Sequence, residues 1–244
     1  MKAIILAAGR GSRMNHLTYD KPKCLIKING KKLLEWQLEA IREAGINEIG
    51  IVTGYKREML SDYKLTEFFN PDWETSQMFN SLNCAKNWLE QYPCIVSYSD
   101  ILYNESAIQS IMNSEEEINL TYDINWEKLW RKRFEDPLVD AETFRLNDDG
   151  SLAEIGKKPS SINDIQGQFM GLLKFSPNGW KKIEEIIENL NSEEIKKLYM
   201  TDILQMLIES NKVRIIPTPY KNFWGEFDSI KDIEIITETL YSLN

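Results

Sequence analysis

The sequence predicts an α/β fold, a mostly parallel sheet flanked by helices with a small antiparallel lid. Three observations carry this. Apolar runs over residues 3–8, 49–54 and 94–98 have the length of buried strands. A helical stretch with the apolar stripe Leu34, Leu38 and Ile41 joins the first two, which implies a right-handed parallel crossover. The second half then turns to hairpin-like strands around Asp148-Asp149-Gly150, and these supply the lid.

The first run opens at once into Gly9-Arg10-Gly11-Ser12-Arg13, answered by Lys21-Pro22-Lys23. Glycines let a backbone come close to an anion, exposed N–H groups point at it, and fixed cations neutralise it. The layout reads as a phosphate cradle; the plainer alternative is a strand followed by a basic surface loop. It is neither of the commoner phosphate motifs. Met14 stands where a dinucleotide fingerprint needs its third glycine, and no Gly-x-x-x-x-Gly-Lys-Ser/Thr is present.

Residues 25–28 alternate as a short strand before the turn Asn29-Gly30. A helix over 33–44 closes on Gly45, and the strand over 49–54 delivers Gly54-Tyr55 to the edge where open α/β sheets hold ligands. Residues 57–72 suggest a short helix and a short strand ending at Phe68-Phe69-Asn70, and 75–90 reads as one helix. The strand over 94–98 delivers Ser99-Asp100. An aspartate leaving a parallel strand is placed to hold a cation beside phosphates, although Asp100 alone is equally a turn or helix N-cap residue. A strand over 118–124 leads into a tryptophan-rich segment over 125–134. Strands follow over 140–146, 152–155 and 167–175, then helices over 177–189 and 200–209. A strand over 213–216 precedes Trp224-Gly225-Glu226-Phe227-Asp228-Ser229, and a closing helix begins near Ile230. The whole chain, 1–244, is expected to form one domain, with residues 118–176 as an acceptor-binding lid within it.

Composition narrows the chemistry. With 29 basic against 38 acidic residues the net charge is −9, which argues against a nucleic-acid partner. Yet Lys2, Arg10, Arg13, Lys21, Lys23, Lys27, Lys31 and Lys32 crowd the first 32 residues, a patch suited to a small polyanion. No run is long enough to span a membrane and Met1 leads straight into a strand, so a cytoplasmic protein without a membrane partner is expected. Cys24, Cys84 and Cys94 are too scattered for a zinc site or disulfide frame. His16 is the lone histidine, which argues against Ser-His-Asp or Cys-His catalysis, excludes a multi-histidine metal site and turns attention to carboxylates, lysines and a metal. Asp228, like Asp100, leaves a strand; Mg²⁺ favours one or two such carboxylates with phosphate oxygens and water.

Leu6-Ala7-Ala8-Gly9-x-Gly11-x-Arg13 with Lys21-Pro22-Lys23 resembles the signature of nucleotidyltransferases that activate sugar phosphates and small phospho-alcohols. Gly54-Tyr55, Asn80-Ser81-Leu82, Asp100 and Asp228 extend the likeness to cytidylyltransferases of the phosphocholine type. Asp140-Ala141-Glu142, Ile155-Gly156-Lys157-Lys158 and Gly167-Gln168-Phe169-Met170-Gly171-Leu172-Leu173 look closer to the branch acting on 2-aminoethylphosphonate or phosphoglutamine. The resemblance spans essentially the whole chain. It implies a Rossmann-like, nucleotide-diphospho-sugar transferase-like fold and transfer of CMP from CTP to a small phosphate or phosphonate, serving capsule or cell-surface modification.

By the same resemblance, Leu6, Ala7, Ala8, Gly9, Gly11 and Arg13 hold the triphosphate and Lys23 meets its α-phosphate, with Arg13 and Lys23 as the catalytic cations. Tyr55, Ser76 and Asn80 lie near base and ribose, and Asp100 and Asp228 bind Mg²⁺. Glu142, Lys157 and Gln168 meet the acceptor, with Glu142 on its cationic part and Lys157 on its phosphate. Trp126 and Trp224, with Trp130, form either part of an aromatic cage for an ammonium group or amphipathic wedges in lid and core. Arg131 and Arg133 either bind the acceptor's anionic end or lie on a solvated helix face, and Lys132 is assigned to that face. A homodimer is left open. The competing readings are a sugar-1-phosphate nucleotidylyltransferase using UTP, dTTP or GTP, and a non-catalytic nucleotide-binding module.

Overall fold

A computed structural model of the chain describes residues 1–243. Seven strands form the central sheet: β1 (Lys2–Ala7), β2 (Ile49–Thr53), β3 (Thr66–Phe69), β4 (Cys94–Tyr98), β5 (Ile118–Asp123), β6 (Gln168–Phe175) and β7 (Thr218–Tyr220). Their order is β7-β5-β6-β4-β1-β2-β3. β1 runs parallel to β2 and β4, β2 to β3, and β5 to β7; β6 opposes both of its neighbours. This is the mostly parallel α/β sheet that the sequence predicts.

Alternation along β1 sets the two layers. Ala3, Ile5 and Ala7 face one cluster with Leu34, Leu38 and Ile41 of α1 (Leu33–Glu43), while Ile4, Leu6 and Ala8 face another built on Phe79, Trp180 and Leu204. The end of α1 follows its sequence signal closely. Gly45 adopts φ 92°, its N–H bonds to the Arg42 carbonyl, and Ile46 N–H bonds to the Ile41 carbonyl, the paired bonds of a Schellman turn. Asn29 and Gly30, with φ 50° and 82°, likewise form the tight turn between Lys27–Ile28 and Lys31–Lys32.

Three expectations need correction. The helix over 75–90 is two short pieces, α2 (Met78–Asn83) and α3 (Lys86–Leu89). Tertiary bonds capture its start: Gln77 N–H bonds to the Lys196 carbonyl and Phe79 N–H to that of Leu198. The strand over 213–216 is absent, and β7 begins two residues past its expected end, at Thr218. Ile215 lends its carbonyl to Leu152 and Ile216 to the Asn119 side chain, while Pro219 sits in β7 at the sheet edge where its missing donor is tolerated. The segment 118–176 is not wholly a separate lid, because β5 and β6 at its ends belong to the main sheet. Its own antiparallel pair is Phe144–Leu146 with Leu152–Ile155. No helix among the described residues is long and apolar enough to cross a membrane.

Gly54 marks where β2 hands the chain to the ligand edge. A Cβ there would fall 2.4 Å from Trp73 Cβ and 2.6 Å from the Ala8 carbonyl oxygen, so the close approach of two strand ends demands glycine. Gly54→Ala is expected to cost about 1–3 kcal/mol of stability through overpacking, read as a lowered urea midpoint with an unchanged slope.

Candidate active site

The C-terminal ends of β1 and β4 face a cleft of about 460 Å³. Its floor and walls bring together residues remote in sequence: Gly9, Arg13 and Ser76 from the first half, Glu142, Gln168 and Asp228 from the second. These six are all residues singled out from the sequence.

Behind the cleft wall lies a knot of charge. Lys23 is 8% exposed, and its Nζ donates to Asp100 Oδ2 and to Asp228 Oδ1, both at 2.8 Å. Arg13 Nη2 donates to the same Asp228 oxygen at 2.9 Å. The topology explains how carboxylates so far apart converge. Trp224–Glu226 pairs antiparallel with Ile101–Tyr103, so Asp100 just before one strand and Asp228 just after the other flank the same end of the ribbon. Phe227 N–H bonds to the Asp100 carbonyl across the junction. The buried Gln37 of α1 donates to the carbonyls of Tyr98 and Ile101, both at 2.7 Å, and so fixes the turn that carries Asp100.

Burial opposes the charged forms of Lys23 and Asp228, but mutual attraction prevails. The Lys23 ammonium is raised above its ordinary value by Asp100 and Asp228, and the Asp228 carboxyl is held below its own by Lys23, Arg13 and Arg133. Gly11 makes room for this lysine. It adopts φ 70°, and a Cβ there would meet the Lys23 side chain at 2.7–2.9 Å.

Arg133, left undecided by the sequence, lies in this knot and not on a solvated face. It sits at the end of the helix Trp126–Arg133, with its side chain 1% exposed. It reaches Glu226 at 2.9 Å, Asp232 at 2.8 Å and Asp228 at 3.5 Å. Asp232 in turn accepts from the backbone N–H groups of Asp228 and Ser229. Arg131 instead pairs with Glu127 one turn away, and both are open to solvent. No local pattern distinguishes the two arginines; the partners of Arg133 are about a hundred residues downstream.

The cleft lining is also acidic and aromatic: Asp140, Glu142 and Glu226 contribute to it with Tyr98, Trp130 and Phe169. Desolvation in the cleft, then neighbouring acidic charge, raises the Glu142 and Glu226 carboxyls, against the pull of Arg133 on Glu226. The Gln168 amide brackets the Glu142 backbone, donating to its carbonyl at 2.6 Å and accepting from its N–H at 3.3 Å.

Other expected residues stand apart from the cleft lining. Leu6, Ala7 and Ala8 are buried at the end of β1, and the Ala8 carbonyl is bonded by Tyr55 N–H. The Tyr55 hydroxyl donates to the Tyr19 carbonyl while its ring packs on Trp73, and Trp73 lines the cleft in its place. Asn80 donates to Asn70, and its neighbour Ser81 faces the cleft. Lys157 pairs with Glu154. Trp126 and Trp224 are core residues, 4% and 5% exposed, whose indoles donate to Ile165 and Asp123, so the wedge alternative describes them and the cage does not. Trp73 and Tyr98 are among the cleft residues for which the sequence carries no local signal.

Among the described residues no cluster of three or more His, Cys, Asp or Glu could hold a metal. Asp100 and Asp228 nonetheless suit a hard cation that completes its shell with phosphate and water. Their carboxylates converge on one point, and Asp100 Oδ1 is buried with no hydrogen-bond partner.

Two outcomes test the knot. Arg133→Met leaves Glu226 and Asp232 without their ion-pair partner and is expected to cost about 3–5 kcal/mol in chemical denaturation. Asp228 ionises more readily folded than unfolded, so its contribution is full above the ordinary carboxylate range, near pH 4, and is lost as pH falls through its lowered value. The stability advantage of the wild type over Asp228→Asn is therefore expected to shrink between pH 6 and pH 3, as read from urea midpoints.

Known proteins share this architecture. The MobA-like NTP transferase domain matches residues 3–124. The chain is 36% identical to the CTP:phosphoglutamine cytidylyltransferase of Campylobacter jejuni, over 98% of this chain and 100% of that protein. It is 41% identical to the choline-phosphate cytidylyltransferase of Streptococcus pneumoniae over 36% of this chain and 41% of that one. The solved structure of CTP:phosphocholine cytidylyltransferase from Streptococcus pneumoniae superposes with a TM-score of 0.75 at 23% identity, covering 98% of each chain, a likeness of fold. With a matching domain over the cradle half and a full-length relative at this identity, the chain belongs to the MobA-like NTP transferase family and is a nucleotidyltransferase.

Proposed function

We propose that the protein transfers CMP from CTP to a small phosphate or phosphonate with a cationic far end, releasing pyrophosphate. Phosphoglutamine, phosphocholine and 2-aminoethylphosphonate are the acceptors of this kind. The observation that carries the reading is the full-length identity to a CTP:phosphoglutamine cytidylyltransferase, on a cleft lined by Gly9 and Arg13 together with Asp140, Glu142 and Glu226.

The chemistry asks little covalent work of the chain. An acceptor phosphate or phosphonate oxygen is already ionised at neutral pH, so in-line attack on the α-phosphorus needs no general base and the shortage of histidine is no obstacle. Alignment and charge neutralisation carry the rate. Arg13 and Lys23 supply fixed positive charge, and the backbone at Gly9 permits close approach of a phosphate. Asp100 and Asp228 would hold Mg²⁺, which when bound adds positive charge beside the phosphates. Glu142, fixed by Gln168, would meet the acceptor's cation, with Asp140 and Glu226 adding to the negative field. A product destined for capsule or cell-surface modification is the corresponding role.

Pyrophosphate release with CTP and Mg²⁺ tests this against phosphoglutamine, phosphocholine, 2-aminoethylphosphonate and glucose-1-phosphate. Release with one of the first three is expected. Release with glucose-1-phosphate alone, or only with another nucleotide, would instead establish a sugar-phosphate enzyme. Lys23→Ala is expected to lower turnover by roughly 10²–10³-fold while the circular dichroism spectrum is unchanged; near-normal turnover would refute its place in the reaction.

A further inference from the structure

The Lys23 ammonium occupies the point on which the two strand-end carboxylates converge. It is 2.8 Å from an oxygen of each, and Arg13 shares the Asp228 oxygen at 2.9 Å. The lysine has little freedom to leave, because its stem lies across Gly11 so tightly that a Cβ there would come within 2.7–2.9 Å of it. Asp228 and Lys23 have side chains only about a tenth exposed, and Asp100 18%. Carboxylates this close together and this far from water need a counter-charge, and the chain supplies one from its own sequence.

A divalent cation approaching the pair alone must therefore displace an ammonium that, among the described residues, has no other acidic side chain within ion-pair distance. What it gains from two carboxylates is offset by leaving a buried cation unpaired. A triphosphate changes that balance. Its oxygens offer Lys23 and Arg13 new partners, and the released carboxylates become free to take a metal. Asp100 Oδ1, buried without a hydrogen-bond partner, is already such a lone pair.

We infer that Lys23 determines the form in which the site accepts metal: it bars free divalent cations from the Asp100–Asp228 pair and admits them only in company with a nucleoside triphosphate. The identity of the triphosphate rests on the function proposed above, whereas the exclusion of free cation does not. Lys23 is thus a selectivity element as well as a phosphate ligand.

Isothermal titration with Mn²⁺ alone, at constant ionic strength and without nucleotide, tests this directly. The wild type is expected to show no saturable binding and no melting shift. Lys23→Met is expected to bind one Mn²⁺ at least about tenfold more tightly and to melt higher as Mn²⁺ is added, with both effects abolished by a further Asp228→Asn. Saturable Mn²⁺ binding by the wild type matching that of the variant overturns the inference, as does a folded Lys23→Met that gains none. Lys23→Gln, which keeps a polar stem end, carries the same arms if the methionine variant does not fold. No arm uses turnover. A chain that transferred no CMP yet behaved as described would sink the proposed function alone, and an active chain binding free Mn²⁺ at this pair would sink the exclusion alone.

Discussion

Burying several carboxylates at one sheet edge is the constraint on which the rest of this molecule depends. Asp100, Asp228 and Asp232 cannot lie so near each other without compensation, and Lys23, Arg13 and Arg133 provide it. The compensating cations come from three separate elements: the loop after β1, the short turn of Lys23–Leu25 and the end of the helix Trp126–Arg133. Each element is thereby tied to the ribbon of Ile101–Tyr103 and Trp224–Glu226. Fold and site are stabilised by the same contacts, so a substitution that weakens one weakens the other.

The cleft lining draws on two stretches of chain. Gly9, Arg13, Ser76 and Tyr98 arise within the residues that match the NTP transferase domain, 3–124. The acidic residues Asp140, Glu142 and Glu226 arise after residue 124, and Gln168 beside them needs β6 to enter the sheet against the grain. An antiparallel strand begins where its parallel neighbours end. Gln168, Phe169 and Met170 therefore start at the ligand edge, beside Tyr98, instead of at the far side. Gly171, at φ 80°, lets the strand pass the Tyr98 ring, which a Cβ would meet at 2.9 Å.

What could be read from the sequence was what local chemistry encodes. The strand at Lys2–Ala7, the Schellman turn at Gly45 and the Asn29-Gly30 turn each follow from a handful of adjacent residues. So does the meeting of Gly11, Arg13 and Lys23, because glycines and cations follow a strand end at short range. The remainder depends on partners that arrive from elsewhere. Arg131 and Arg133 are indistinguishable in sequence, yet one is solvated and the other is the most enclosed cation of the knot. Residues 75–90 have helical periodicity throughout, but segment 196–198 captures the start for its own carbonyls. Trp126 and Trp224 carry the composition of a ligand cage and the burial of a core.

The register of β5 against β6 has a consequence for how such a protein can change. Asp123 and Gln168 are direct partners across the sheet, so the chain between them departs from and returns to a single rung of the ladder. Residues 124–167 form a closed excursion whose two anchors are already held by main-chain pairing. Lengthening or exchanging such a detour alters loop-closure entropy only slowly and leaves the register of every other strand untouched. The portion of the molecule that carries Trp130, Asp140 and Glu142 is thus joined to the cradle side not by strand register but through the Arg133 ion pairs with Glu226, Asp228 and Asp232. New selectivity could be acquired there by recombination of one segment that keeps this arginine.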